Sequence, residues 1–361
     1  MNKRAHFAGL AAVAMAASSL ASAQTNVQIY GVMDAGIEHL SNANPGGGGA
    51  TKIYSGGANN SRLGFRGTEE LGGGLKAVFN LESGLLIDTG NYDGTLFRRQ
   101  ANVGLEGKFG RIVFGRSFTT VYDFVNPFDP MGYAPRYSWI PTGNGTLANK
   151  YGMTTGFDNM VKYQGTFDKL KVGFSYGAGE VAGNASDGRK LAAGAAYDLG
   201  AVRLVLTGER VNGIRNAVGI RSENKVYHAA AAFDASEALS LKAGLRHLTI
   251  EQPAVADVRA DTWWVGANYD LTPALDLTGV VYYVRIKNGV TPSDSAADPR
   301  MFVLRAKYAL SKRTSLYATA AHAKTRGGVP VGVSRDNTED GGTTGFGDHQ
   351  TGLLVGIQHR F

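Results

Sequence analysis

Residues 61–83 read SRLGFRGTEELGGGLKAVFNLES, and polarity alternates on both sides of a glycine run. In Arg62–Arg66 the two arginines share one face, and Leu63 and Phe65 take the other. In Leu75–Glu82, Leu75, Ala77, Phe79 and Leu81 fall on one face, while Lys76, Asn80 and Glu82 fall on the opposite one; Val78 is the exception. A period of two marks a β-strand, because successive side chains point to opposite sides of the backbone. Glu70–Gly74 joins the two strands as a tight turn. The hairpin therefore carries one apolar and one charged face, and the apolar face needs a partner.

Working outward, the same unit recurs: about ten alternating residues, then a turn. Sixteen candidate strands result, at 27–38, 60–69, 75–85, 96–106, 111–117, 158–167, 170–178, 189–199, 202–212, 223–234, 239–250, 259–271, 275–286, 300–310, 314–324 and 348–361. Short turns (Phe167–Lys169, Asp198–Ala201, Ala235–Ala238, Leu271–Ala274, Leu310–Arg313) tend to alternate with long loops, chiefly 39–59, 118–157, 287–299 and 325–347. Short turns on one side and long loops on the other are the signature of a transmembrane barrel, and an even strand number places both termini on the periplasmic side. A soluble β-sandwich is the rival fold, but it predicts roughly seven to nine strands. It also leaves the faces bearing Leu63, Phe65, Phe79, Leu81, Leu353, Val355 and Ile357 without a common apolar partner. Lipid supplies one for every strand at once, and in lipid only a closed barrel satisfies the backbone groups of strands. Tyr30, Tyr163, Tyr197, Tyr269, Tyr308 and the Trp263-Trp264 pair lie near strand ends, where interfacial aromatic girdles belong.

Composition agrees. The 361 residues include no cysteine, 50 glycines, 16 tyrosines and 16 phenylalanines. That glycine content is about twice the usual share of roughly 7%. The formal charge of +7 falls to +5 once Lys3 and Arg4 are removed, and no block of like charge appears, so nucleic acid is not an expected partner. Lys3 and Arg4, the apolar stretch Phe7–Leu20 and the small residues Ala21-Ser22-Ala23 read as a cleavable export signal over 1–23, with Gln24 opening the mature chain. No later run of 18 apolar residues could form a membrane-crossing helix.

Several blocks resemble β-proteobacterial general porins. Val27–Gly36 looks like their first strand, 61–83 is the most specific block, Leu96–Arg116 (LFRRQANVGLEGKFGRIVFGR) is similar to the following hairpin, and VGIQHRF is like their closing strand. The resemblance implies one porin domain over 24–361, a 16-stranded barrel, a homotrimer, and a third outer loop, 118–157, folded into the lumen as a constriction. Implied partners are outer-membrane lipid and lipopolysaccharide, small polar or ionic solutes, and the outer-membrane assembly machinery, reading the terminal Phe361; no cofactor is implied.

In such a channel, basic wall residues face acidic residues on the infolded loop, and the field between them orients dipolar solutes. The family pattern puts Arg62 and Arg99 on the basic wall. Alternation makes Arg66 and Lys76 inward-facing as well. For Arg98 and Arg99 the two arguments conflict. Arg98, Gln100 and Asn102 form the polar face, whereas the family pattern turns Arg99, Ala101, Val103 and Leu105 inward; Arg99 is preferred on the expectation that the loop packs over that face. The opposing carboxylates are expected at Asp129 and, less directly, Asp123, with capping of a turn before Pro130 as the other role open to Asp129. The chain departs from the family at the loop tip, Asn126–Tyr133, and at Thr154–Asp158, where a further wall arginine is usual. Tyr133, Tyr137 and Trp139 are placed to narrow the pore or stack on a ring. The positive excess leans toward anions. A substrate-specific channel, a surface receptor or adhesin, and a barrel enzyme are the alternatives. The enzyme reading has little to stand on: the seven histidines have no metal-binding spacing, and Gly173-Phe174-Ser175-Tyr176-Gly177 lies inside a strand with no helix after it, unlike a nucleophile elbow.

Overall fold

The computed structural model describes residues 26–141, 151–252, 255–289, 292, 295, 297–334 and 345–361; the export signal expected over 1–23 lies outside them. Among the described residues eighteen strands form one antiparallel sheet. They are β1 (Asn26–Leu40), β2 (Ala50–Ser55), β3 (Arg62–Gly72), β4 (Leu75–Leu86), β5 (Asn91–Tyr92), β6 (Gln100–Gly107), β7 (Gly110–Phe118), β8 (Gly156–Phe167), β9 (Leu170–Gly177) and β10 (Lys190–Asp198). The series continues with β11 (Val202–Asn212), β12 (Glu223–Asp234), β13 (Leu239–Glu251), β14 (Val258–Thr272), β15 (Leu275–Asn288), β16 (Arg300–Ala309), β17 (Thr314–Lys324) and β18 (His349–Arg360). Among the described residues a short helix, α1 (Thr120–Val125), runs into a 3-10 turn, Asn126–Phe128.

The wall itself has sixteen strands. β2 pairs with the outer half of β1 and β3 with its inner half, so together they occupy one position. β5 pairs only with the last two residues of β4, while β6 is the wall neighbour of β4. Every other strand pairs with its successor, and β18 pairs back onto β1, which leaves no open edge. The expected loop 39–59 is thus corrected: it contains β2. The interruption between β2 and β3 has a cause in Asp34. Its buried carboxylate accepts the backbone N–H groups of Gly57 and Asn59, each at 2.8 Å, as well as Gln358 Nε2 and the Tyr317 hydroxyl. Donors that leave the ladder are satisfied by a side chain instead.

The side-chain pattern is inverted relative to a soluble protein. Across neighbouring strands Thr207, His228, Arg246 and Thr262 stand side by side, all buried and all inward. Leu206 (65% exposed), Val265 (59%) and Leu304 (70%) face outward. Apolar outside and polar inside is what a bilayer-spanning barrel requires.

At the closure, Gly31 and Phe361 exchange backbone hydrogen bonds at 3.1 and 3.2 Å. A Cβ on Gly31 would sit 2.3 Å from Phe361 Cζ and 2.7 Å from the Arg62 carbonyl oxygen. Gly31→Ala is therefore expected to cost about 1–3 kcal/mol by overpacking. The check is the urea midpoint of the folded, faster-migrating gel band; an unshifted midpoint would contradict the crowding.

Candidate pore constriction

The described part of the segment between β7 and β8 lies against the inner wall. Thr119 caps α1, accepting from the Tyr122 N–H. The Thr120 N–H and hydroxyl both meet Ser175 Oγ, at 3.1 and 2.8 Å. Phe124 lies over Gly173 and Gly194, where a Cβ would stand 2.9 and 3.1 Å from its ring. The Gly-x-Ser-x-Gly stretch is thus the seat of α1, and Ser175 is buried beneath it.

The segment then crosses to the opposite strands. Trp264 Nε1 donates to the Phe128 carbonyl at 2.9 Å, Asn268 Nδ2 to the Pro130 carbonyl at 2.9 Å, and Arg305 Nη1 to the Met131 carbonyl at 3.3 Å. Arg246 donates to the Ile140 carbonyl. Pro130 and Tyr137 lie over Gly266 and Gly352, where a Cβ would meet them at 2.8 and 2.4 Å. Inward glycines recess the wall where the loop must approach it. Tyr133, Tyr137 and Trp139 are 4%, 0% and 0% exposed, so they form the loop-to-wall packing and do not offer rings to a solute, which removes the stacking role of the two expected for them. Burial pushes the Tyr133 and Tyr137 phenols well above their ordinary range, which keeps both neutral.

The two loop carboxylates are engaged elsewhere than expected. Asp129 is 1% exposed. It accepts from Met131 N (3.0 Å), Tyr133 N (2.8 Å), the Ser138 hydroxyl (2.7 Å) and the Tyr282 hydroxyl of β15 (2.7 Å). Asp129 therefore ties the turn together and fixes it to the wall; it is not presented to the lumen. Asp123 pairs with Lys162 and Gln164 of β8. The sequence alternative of turn capping describes Asp129 better than the acidic pole did.

The arginines gather on β3 and the approach to β6. Glu82 of β4 lies between them, 2.7 Å from Arg99 Nε and 3.6 Å from Arg62 Nε, and it accepts from the Tyr30 hydroxyl at 2.8 Å. Arg62 also donates to Asn59 Oδ1 at 2.8 Å. The Arg99 guanidinium lies 5.1 Å from the Phe118 ring, and Phe118 stacks on Tyr122 at 4.5 Å. The conflict over β6 resolves in two parts. Gln100 and Asn102 face inward beside Glu82 and Asn80, while Val103 (60% exposed) and Leu105 (38%) face outward, so the expectation that Ala101, Val103 and Leu105 turn inward is corrected. Arg99 still reaches Glu82 because β6 begins only at Gln100: Arg99 lies in a bend, where strand alternation does not apply. Arg98 pairs with Asp93 at 2.9 Å.

Arg66 is exposed on the inward face, donating to Gln28 Oε1 at 3.0 Å with its guanidinium 5.0 Å from the Tyr30 ring. Lys76 sits at the short-turn end, paired with Glu70 at 2.8 Å. Glu82, Lys162, Arg305 and Lys307 were not singled out from sequence. Their signal was present: Arg305 and Lys307 alternate inward with the outward pair Leu304 and Ala306.

The Gram-negative porin family matches residues 9–328. Outer membrane porin protein 32 of Delftia acidovorans is 30% identical over 98% of this chain and 99% of its own. An outer membrane porin protein of Bordetella pertussis is 28% identical over 94% of this chain and 96% of its own. Among solved structures, the anion-selective porin from Comamonas acidovorans superposes with a TM-score of 0.81 at 25% identity, covering 94% of this chain and 100% of that one. OmpF of Salmonella typhi, at 17% identity and a TM-score of 0.64 over 93% of this chain and 97% of its own, shares the fold. With a closed sixteen-stranded wall, a polar interior and these relatives along its whole length, the chain belongs to the Gram-negative porins, outer-membrane β-barrels that form water-filled channels for the passive diffusion of small hydrophilic solutes.

Proposed function

We propose that this porin is a general diffusion channel with a lean toward anions, constricted where Arg62, Arg99 and Glu82 face the Phe118–Tyr122 stack. The observation that carries the reading is the charge balance at that point: two guanidinium groups share one carboxylate. A fixed positive excess in a narrow, low-dielectric passage raises the local concentration of anions over cations. Asp123 contributes little to the cross-pore field, because Lys162 neutralises it, and Asp129 braces the loop. Arg66 extends the basic track inward from the constriction, while Lys76, paired with Glu70, adds less. The anion-selective character of the Comamonas acidovorans relative supports the sign.

Residues 24–361 are the working domain, released from the 1–23 signal, and three copies assemble as a trimer. A substrate-specific channel is less favoured, since the aromatics that would have supplied a stacking site are buried against the wall. Planar-bilayer conductance of the purified protein under a salt gradient tests the proposal. Stepwise openings in threes with a reversal potential of anion-selective sign are expected. A closed channel from folded protein would move a receptor or enzyme reading to the front, and a cation-selective potential would refute the lean.

A further inference from the structure

We propose that Asp34 and Asn59 are positioning residues for the selectivity of the channel: the Asp34 carboxylate folds residues 56–61 into a bend whose Asn59 side chain holds the Arg62 guanidinium at the constriction. The proposal rests on the reading of Arg62 and Arg99 as the anion-attracting pole, and it names what keeps the first of them in place.

The bend is wrapped around one residue of β1. The Asp34 carbonyl accepts the Gly56 N–H at 2.7 Å and the Ser61 hydroxyl at 2.9 Å, and the Asp34 N–H donates to Ser61 Oγ at 3.0 Å. The carboxylate takes the middle of the bend, Oδ1 accepting from Gly57 N and Oδ2 from Asn59 N, each at 2.8 Å. Asp34 is 0% exposed, so water does not compete for these donors. Gly57 lets the backbone come this close: a Cβ there would lie 2.2 Å from the Tyr317 hydroxyl oxygen and 2.6 Å from that of Tyr54. The bend also meets the constriction loop, because the Arg136 N–H donates to the Gly57 carbonyl at 3.4 Å. Arg62 and the loop are thus registered against the same carboxylate.

Where the bend ends, β3 begins, and its first residue is Arg62. Arg62 Nη1 donates to Asn59 Oδ1 at 2.8 Å and to the Asn60 carbonyl at 3.1 Å, while Nε faces Glu82 at 3.6 Å. Glu82 lies closer to Arg99, at 2.7 Å, so its carboxylate does not fix Arg62 by itself. The two guanidinium groups repel each other, and an arginine has many rotamers through which to move away. Asn59 opposes that movement with a hydrogen bond to a charged donor. Its amide oxygen differs from a carboxylate in one respect that matters here: it holds the cation without cancelling its charge.

The test is the reversal potential of the full protein in planar bilayers under a chloride salt gradient, for Asn59→Ala, Asp34→Asn, Arg62→Ala and the double variant Asn59→Ala/Arg62→Ala. Asn59→Ala changes no charge and keeps the backbone N–H that Asp34 holds. It should lower the anion-to-cation permeability ratio roughly 2- to 3-fold as Arg62 moves off. In the Arg62→Ala background the same substitution should change nothing, because it acts through Arg62 alone. Asp34→Asn separates position from charge by sign. A carboxylate acting through its field would, once neutralised, leave a deeper anion preference; one that holds the bend leaves a weaker preference. Should Asp34→Asn not yield the folded, faster-migrating gel band, Asn59→Ala decides alone. The proposal is overturned by an unshifted potential in Asn59→Ala, by an equal shift in both backgrounds, or by a deeper anion preference in folded Asp34→Asn. An unshifted potential in Arg62→Ala would instead remove Arg62 from the selective pole, and the proposal would fall with that reading.

Discussion

Replacing Arg62 and Arg99 together with alanine is expected to reverse the ion preference of the channel. Both arginines lean on Glu82, at 3.6 and 2.7 Å, so their removal turns a local excess of one positive charge into an uncompensated negative one. In water a unit charge a few ångströms from a permeating ion is worth roughly 0.5–1 kcal/mol. Losing two should lower anion partition into the constriction roughly 5- to 30-fold and raise cation partition by a similar factor. The effect should be largest at low salt, where screening is weakest. The converse substitution, Glu82→Gln, leaves both cations and should deepen anion preference. Reversal potentials in a salt gradient read both. An unchanged potential in the double variant would remove these arginines from the selectivity-determining region.

The second large effect is predicted at Asp129, for a reason unrelated to field. Its carboxylate collects two backbone N–H groups and the hydroxyls of Ser138 and Tyr282 inside the loop-to-wall contact. Asp129→Ala leaves those buried donors unpaired, a loss of about 3–5 kcal/mol. That shifts the ratio of seated to unseated loop by roughly two to four orders of magnitude. The wall has its own complete ladder, so the barrel should survive. Liposome-swelling rates should rise for sugars too large for the parent channel, and open-channel noise should grow. Tyr282→Phe removes one donor and should move the same readings in the same direction by far less. If large sugars enter Asp129→Ala and the parent at equal rates, the carboxylate does not hold the loop.

Much of this molecule could be read from its residues. Alternation placed Leu63, Phe65, Phe79 and Leu81 outward and Arg62, Arg66, Asn80 and Glu82 inward, because a strand with lipid on one side and water on the other has no freedom to do otherwise. The short turns were plain for a similar reason: their glycines and polar residues have a local conformational role. What escaped were features fixed by contacts distant in sequence. β2 is six residues long and depends on pairing with β1 and on the Asp34 carboxylate, which no local pattern announces. Arg99 defeated alternation because it precedes the strand whose phase was being counted. Asp129 carries the residue type of an acidic pole, but the Ser138 and Tyr282 hydroxyls that claim it lie 9 and 153 positions away. The Gly173–Gly177 stretch likewise acquires its meaning only once Phe124 is set upon it.

The seating of the loop bears on how the channel responds to heat. Phe124, Pro130 and Tyr137 lie in recesses at Gly173, Gly194, Gly266 and Gly352, spread over β9, β10, β14 and β18. While the loop stays seated, a narrow point fastened at so many stations around the cylinder moves with the wall, and its width follows the cylinder as a whole. Warming should therefore raise conductance in step with the falling viscosity of the electrolyte, with no break in slope until the cylinder itself melts.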